Sequence, residues 1–259
     1  MKPVLFNLFG LSIHSYGLML AVAFLVGIFG AGRQAQRRLG IPLDTIVDLA
    51  TWILIGAVAG ARIAYVVTDY QLYVRAPWEI LKLSSGGLAF HGGLIGGFLA
   101  GFGFLRLKKI YPWTLADLLA PFIALGYSLV RIGCLLNGCC YGKASGLPWA
   151  LPCAYGDATL RHPTQLYSLV GSLVLFVILW RNLDHHRFPG FLFLLYVGLY
   201  SMLRFGVEFF RVGPMVFPWL SLAQLVCLLM AGTAFGLIWA FDRRQRRRLN
   251  SDAATEVKS

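Results

Sequence analysis

Apolar residues along this chain come in long unbroken runs, with the polar residues confined to the connections between them. Seven runs, at about residues 14–33, 45–67, 88–106, 114–135, 163–181, 189–210 and 218–241, approach or exceed the ~20 residues that a helix needs to cross a hydrocarbon core. Pro112, Pro163, Pro189 and Pro218 stand at or near run starts, where a missing N–H costs little. Pro121 falls inside the fourth run, where a kink is expected. The pattern predicts an all-α integral membrane protein, a bundle of about seven transmembrane helices. Residues 1–242 then form one transmembrane domain and 243–259 a basic cytoplasmic tail. Two connections are longer than a turn. Residues 69–87 carry Tyr70, Tyr73, Trp78 and Leu81 among polar neighbours and read as an interfacial stretch with an aromatic rim. Residues 136–162 form a Gly- and Pro-containing loop, long enough to cover an outward-facing site.

Composition agrees with the runs. Of 259 residues 58% are hydrophobic and 13% charged, against roughly a quarter charged in a soluble domain. The formal net charge of +12 would suggest nucleic acid on a soluble protein. Here its distribution argues against that partner. Fourteen Lys and Arg fall in one set of connections and the tail, and six in the opposite set. The richer side is cytoplasmic by the positive-inside rule, which places the N-terminus outside and the C-terminus inside.

Three arginines, Arg62, Arg131 and Arg204, fall within spans or at their ends, where an ionisable group is a functional candidate. Tyr200, Arg204, Glu208 and Arg211 are spaced by four, four and three, which puts them on one helical face. That face reads either as a packing ladder or as an anion site, with Glu208 orienting guanidinium forks suited to phosphate. Arg131 and Asn137 end the fourth span beside two glycines, a place for irregular backbone around a cavity. Arg62 follows a GxxxG pattern and could neutralise a phosphate or brace other charges. Tyr16 opens the first span, as an aromatic anchor or a site hydroxyl. His91 stands at the mouth of a glycine-rich run, beside Gly92 and Gly93, and an imidazole there can act as a general base near neutral pH. His91, Arg131, Arg204 and Tyr16 all fall toward the outer half of the membrane in this topology.

Cys134, Cys139, Cys140 and Cys153 cluster in one segment. C-x4-C-C lacks the usual zinc spacing and has only His162 nearby, so no metal is expected. Facing an oxidising compartment, a disulfide of Cys153 with Cys139 or Cys140 is the favoured reading.

With these residues in hand, the chain resembles the bacterial prolipoprotein diacylglyceryl transferases. The resemblance is carried by His14-x-Tyr16-Gly, Gly60-x-Arg62-Ile-x-Tyr65, Phe90-His91-Gly-Gly, Arg131-x-Gly133-x-x-x-Asn137-Gly138, Arg161-His-Pro-x-Gln165-Leu-Tyr167, Arg204-x-x-x-Glu208-Phe-Phe-Arg211 and Gln224. It implies a seven-helix inner-membrane protein with a periplasmic head region. It implies transfer of the diacylglyceryl group of phosphatidylglycerol to the lipobox cysteine of a precursor protein, giving a thioether and glycerol phosphate. By the same resemblance His91 matches a catalytic histidine and Arg131 a signature arginine. Arg204 matches an arginine proposed to hold the lipid phosphate, and Tyr16, Tyr200, Asn137 and Glu208 match further site residues. No cofactor is required. The family signature usually has Asn where this chain has Cys134 and an acidic residue where it has Cys139. The loop after Gly142 is short, so the head region is reduced. Two alternatives stay open: a related lipid transferase with a different acceptor, and a non-enzymatic lipid-binding or thiol-redox membrane protein.

Overall fold

The computed structural model describes residues 2–8, 11–74, 77–82, 87, 89–153, 156–184, 187–213, 215–217 and 220–256. Its helices are α1 (Ser15–Leu39), α2 (Leu43–Thr68), α3 (Tyr70–Val74), α4 (Phe90–Leu107), α5 (Pro112–Asn137), α6 (Thr164–Arg181), α7 (Phe191–Glu208) and α8 (Leu222–Glu256), with a 3-10 turn at Pro77–Leu81. Seven of them, all but α3, are long and apolar enough to span a membrane, in the places the hydrophobic runs predict. The chain is therefore an all-α, multi-pass membrane protein.

The ends differ from expectation for local reasons. α1 continues past residue 33 to Leu39, because Arg, Gln and Ala there are strong helix formers, and it stops at Gly40, whose φ is +65°. α8 runs past 241 to Glu256 for the same reason. Arg246 bonds Asp242 at 3.0 Å within it, and Arg187 reaches Asp242 at 3.2 Å. α5 is continuous through Pro121. Two short hairpins depart from the expected pattern: β1 (Val4–Leu8) with β2 (Leu11–His14), and β3 (Met215–Phe217) with β4 (Leu220–Ser221), both antiparallel. Each leads directly into a spanning helix and sets its entry.

The residues form two compact units, Met1–Gly30 with Ala116–Ser259, and Ala31–Leu115. In the second unit α2 and α4 meet along glycines. A Cβ on Gly60 would collide with the Gly92 carbonyl, and one on Gly96 with the Gly56 carbonyl. The two backbones touch there, as in small-residue contacts between membrane helices.

The first unit has its core between α5, α6 and α7, where Ala120, Ala124, Leu175, Leu179, Leu183 and Leu192 are buried. One buried carboxylate fixes α7 on α5. Asp117 accepts from the Gly190 N–H at 2.6 Å and the Phe193 N–H at 2.9 Å. The carboxylate thus caps the α7 N-terminus, which has no side-chain cap of its own.

Candidate active site

In the first unit the candidate residues gather at the C-terminal ends of α5 and α7. Arg131, in the last two turns of α5, lies over the Tyr127 ring with 4.5 Å from its guanidinium carbon to the ring centroid. Its Nη2 donates to the Tyr127 hydroxyl at 2.5 Å, and its Nη1 lies 3.8 Å from the Cys134 sulfur. Its Nε is buried and has no hydrogen-bond partner among the described residues. Tyr127 meets Tyr200 of α7 edge to face at 5.2 Å, and Tyr200 stacks on Tyr196. The sequence motifs do not single out Tyr127, although its position four before Arg131 is the signal that could have found it.

One helical turn past Tyr200, Arg204 pairs with the buried Glu208. Arg211 lies 3.8 Å from the same Glu208 oxygen. It does so from beyond the helix, which ends at Glu208, so the predicted shared face is completed by a turn: the Arg211 N–H donates to the Glu208 carbonyl. The other carboxylate oxygen accepts from the Ser221 hydroxyl at 3.4 Å. Ser221 is itself held by a capping box at the start of α8. The Gln224 backbone N–H donates to the Ser221 hydroxyl, and the Gln224 side-chain Oε1 accepts from the Ser221 N–H. The pattern Ser-x-x-Gln at 221–224 is a readable signal for this cap. Two guanidinium groups on one carboxylate leave the cluster with a net positive charge, and Arg forks suit phosphate oxygens.

Tyr16 is the second residue of α1 and is exposed. A Cβ on Gly133 would sit 3.2 Å from its Cα, so α1 packs closely on α5 one turn from Arg131. Asn137 closes α5, and Gly138 follows with φ +72°. The Gly138 N–H donates to the Leu135 carbonyl and the Cys139 N–H to the Cys134 carbonyl. These bonds make a Schellman motif.

The loop that follows is a folded element. Thr164 and Gln165, both buried at the start of α6, donate to the Cys140 and Cys139 carbonyls at 2.8 Å each. Arg161 bonds Asp157 at 2.8 Å, and Trp149 donates to the Tyr167 hydroxyl at 2.9 Å. Hydrogen bonds from the Thr159 hydroxyl and from Arg161 hold the Asp157 carboxyl below the usual carboxylate range.

All five cysteines are free, so the expected bridge from Cys153 to Cys139 or Cys140 is absent. Cys153 is fully buried, and burial pushes its thiol up, with Arg161 acting against that. Cys139 and Cys140 turn toward Cys134 instead, and the three sulfurs lie within 4.8 Å of one another. The hydrogen bond with Cys134 holds the Cys140 thiol below the usual thiol range against the effect of burial, with Cys139, Arg131 and Arg211 adding to the lowering.

The second unit holds the other candidates. His91 is the second residue of α4, exposed, with its ring edge-on to Phe90 at 5.7 Å. Gly92 and Gly93 face α2, and their missing side chains are accounted for by helix packing. A Cβ on Gly92 would collide with the Gly60 carbonyl, whereas one on Gly93 would stand 3.2 Å from the Ala57 carbonyl. Arg62 is buried and works as a brace. Its Nε donates to the Ile80 carbonyl at 2.8 Å, Nη1 to Gly87 at 3.0 Å, and Nη2 to Lys82 at 3.0 Å and to Glu79. Tyr73 covers the guanidinium at 5.3 Å. The stretch with the aromatic rim is thus fastened to α2, while Trp78 remains exposed; residues 75, 76, 83–86 and 88 lie outside the described residues. Beside Arg62 an apolar groove of about 520 Å³ runs between Leu54, Ile55, Val58, Ala59, Ile63 and Ile80.

The fold and these side chains define a polytopic membrane protein with guanidinium groups gathered at the ends of its spanning helices. The particular family is given by comparison with known proteins: residues 3–240 match the family described as prolipoprotein diacylglyceryl transferase, and the chain belongs to it. Proteins named phosphatidylglycerol–prolipoprotein diacylglyceryl transferase are similar over nearly its whole length. The protein of Synechococcus elongatus is 36% identical over 94% of this chain and 89% of its own. That of Azotobacter vinelandii is 37% identical over 94% of this chain and 96% of its own.

Proposed function

We propose that this protein transfers the diacylglyceryl group of phosphatidylglycerol to the lipobox cysteine thiol of a prolipoprotein in the bacterial inner membrane, with its N-terminus outside and its C-terminus cytoplasmic. The thiol sulfur attacks the glyceryl carbon, the carbon–oxygen bond to phosphate breaks, and the thiol proton passes to a base. The products are a thioether and glycerol phosphate. Supporting this reading is the family membership together with one observation: Arg131 keeps a buried N–H donor unspent while its other nitrogens are held by Tyr127 and Cys134. A fixed guanidinium with a free donor suits the negative charge that grows on a departing phosphate.

In this reading Arg204 and Arg211, oriented by Glu208, receive the lipid phosphate, and Asn137, Tyr16 and Tyr200 contact the reacting groups. His91 is the base that takes the thiol proton, an assignment that rests on the resemblance. Arg62 borders the lipid side, where the apolar groove beside it suits an acyl chain, and Gly92 and Gly93 act through the packing of α4 on α2.

The test is a transfer assay in membranes with phosphatidylglycerol labelled in its diacylglyceryl part and a lipobox peptide. Label on the peptide cysteine, lost in Arg131→Ala and His91→Ala, is the expected result. Release of glycerol phosphate without label on the peptide points to a different acceptor, a reading favoured by the cysteines at 134 and 139. Absence of both signals from folded protein refutes the transferase reading for this donor and acceptor.

A further inference from the structure

The thiols of Cys139 and Cys140 have no part in the transfer described above, and that of Cys134 only touches Arg131, yet the backbone is arranged to bring the three together. In the Schellman motif that ends α5, Cys134 and Cys139 occupy the two positions whose side chains ordinarily make a hydrophobic contact over the cap. Here both carry sulfur. Cys140 then takes a left-handed conformation, φ +64°, which a residue with a Cβ rarely adopts. The turn is fastened from outside: the Cys140 carbonyl accepts from Thr164 at 2.8 Å and Arg211 at 3.4 Å, and the Cys139 carbonyl from Gln165 at 2.8 Å. Cys134 is buried, and Cys139 and Cys140 are half-buried.

We propose that Cys134, Cys139 and Cys140 form a three-thiolate binding site for a thiophilic d10 cation, Zn2+. With zinc–sulfur bonds of about 2.3 Å, tetrahedral geometry puts neighbouring sulfurs about 3.8 Å apart. Sulfurs already within 4.8 Å of one another reach that spacing by small side-chain rotations. Each thiol gives its proton to solvent as its sulfur bonds the metal. Three thiolates on a divalent ion leave one negative charge, which the Arg131 guanidinium, 3.8 Å from the Cys134 sulfur, offsets. Three protein ligands leave the fourth position to water or an incoming thiol. The C-x4-C-C spacing differs from that of common zinc motifs because one ligand comes from inside the helix cap and two from beyond it. Adjacent Cys139 and Cys140 are poorly placed to bridge each other, since a vicinal disulfide is strained.

The test uses the whole protein, reduced, desalted and equilibrated with Zn2+ in detergent. Metal is then counted per chain, and free thiols are mapped by alkylation and peptide mass spectrometry. The expected result is about one bound zinc per chain, lost in the Cys134→Ser/Cys139→Ser/Cys140→Ser variant and kept in Cys153→Ser. On the unmodified chain, Zn2+ abolishes alkylation of the half-buried Cys139 and Cys140 and leaves the buried Cys153 and Cys227 unchanged. That second readout does not depend on the variant folding. Absence of zinc-dependent protection of Cys139 and Cys140 overturns the proposal, as does a disulfide between any two of the three cysteines that persists through reduction and blocks uptake. Neither readout involves lipid transfer, so failure here leaves the transferase reading standing.

Discussion

The contact of α2 with α4 is where a single methyl group should do most damage, and the damage can be separated from the ordinary effect of replacing glycine. At Gly60 an added Cβ meets the Gly92 carbonyl and comes within 2.8 Å of the Gly96 Cα; at Gly96 it meets the Gly56 carbonyl. These obstacles are backbone atoms, which cannot swing away as a side chain can, so the helices must separate. Overpacking of this kind costs typically ~1–3 kcal/mol. Between membrane helices the loss is not offset by hydrophobic burial, because lipid tails are as apolar as the contact. Gly103, also within α4, has nothing within 4 Å of the point where a Cβ would stand, so alanine there relieves a helix-interior glycine worth ~0.5–1 kcal/mol. With thermal midpoints moving ~2–4 °C per kcal/mol for chains near this size, Gly60→Ala and Gly96→Ala should unfold several degrees below the parent protein and Gly103→Ala at or slightly above it. Calorimetry in detergent micelles reads all three. Gly60→Ala and Gly96→Ala melting together with Gly103→Ala would refute close backbone packing. The same contact sets the start of α4, where His91 stands, so in the transferase reading the two damaging variants also lose activity.

Other tests follow from single side chains. Arg62→Lys keeps the charge but cannot serve the carbonyls of Glu79, Ile80, Lys82 and Gly87 together; trypsin should then cut faster at Lys82, and an unchanged rate would remove the brace from the account. Glu208→Gln leaves Arg204 and Arg211 without their shared carboxylate, and because both arginines reach the surface the loss falls below the ~3–5 kcal/mol of a fully buried pair; a thermal midpoint equal to the parent's would show that the pair does not hold the end of α7. The depressed Asp157 carboxyl keeps its bonds to Thr159 and Arg161 at any pH above the ordinary carboxylate value, and loses them only as pH falls through its lower folded value. The chemical shift of the Thr159 amide proton should therefore stay constant to below about pH 4 and change in Asp157→Asn, where the acceptor loses its charge; an unchanged shift in the variant would count against the tie.

The spanning helices are legible in the sequence because run length against bilayer thickness is a one-dimensional property. Their ends are less so: α1 and α8 continue through Arg- and Gln-rich sequence that leaves the apolar run but keeps its helix propensity. The hairpins escape a reading by pattern because each is only a few residues per strand, and partner residues such as Val4 and His14 show no turn signal as strong as Asn-Gly between them. In the site, the four-residue spacing of Tyr200, Arg204 and Glu208 is enough to place them together, since it follows from helix geometry alone. Asp117 cannot be found this way. Its partners, Gly190 and Phe193, lie more than seventy residues away, and only the packing of α7 on α5 makes it a cap. Arg62 shows a different gap. Its charge suggests a phosphate, but the sequence carries no mark that the carbonyls of Glu79, Ile80, Lys82 and Gly87 reach it, and those carbonyls take its donors.

The cysteines mark the point where reading spacing as a linear ligand list fails. C-x4-C-C does not match arrays in which each pair of ligands sits on its own turn. The Asn137-Gly138 pair just after a helical run is a signal for a left-handed cap, and that cap fixes which side chains meet: the third helical residue before it and the first residue beyond the glycine. Applied to this chain, the rule pairs Cys134 with Cys139 from residue order alone. It also explains why Cys153 is left out, since nothing local connects its buried position to the cap. The free donor of Arg131 and the three gathered thiols then have one origin. The turn that ends α5 carries the arginine on its last helical turns and the sulfurs around its cap, so a change at Gly138 that abolished the left-handed φ of +72° would disturb both at once.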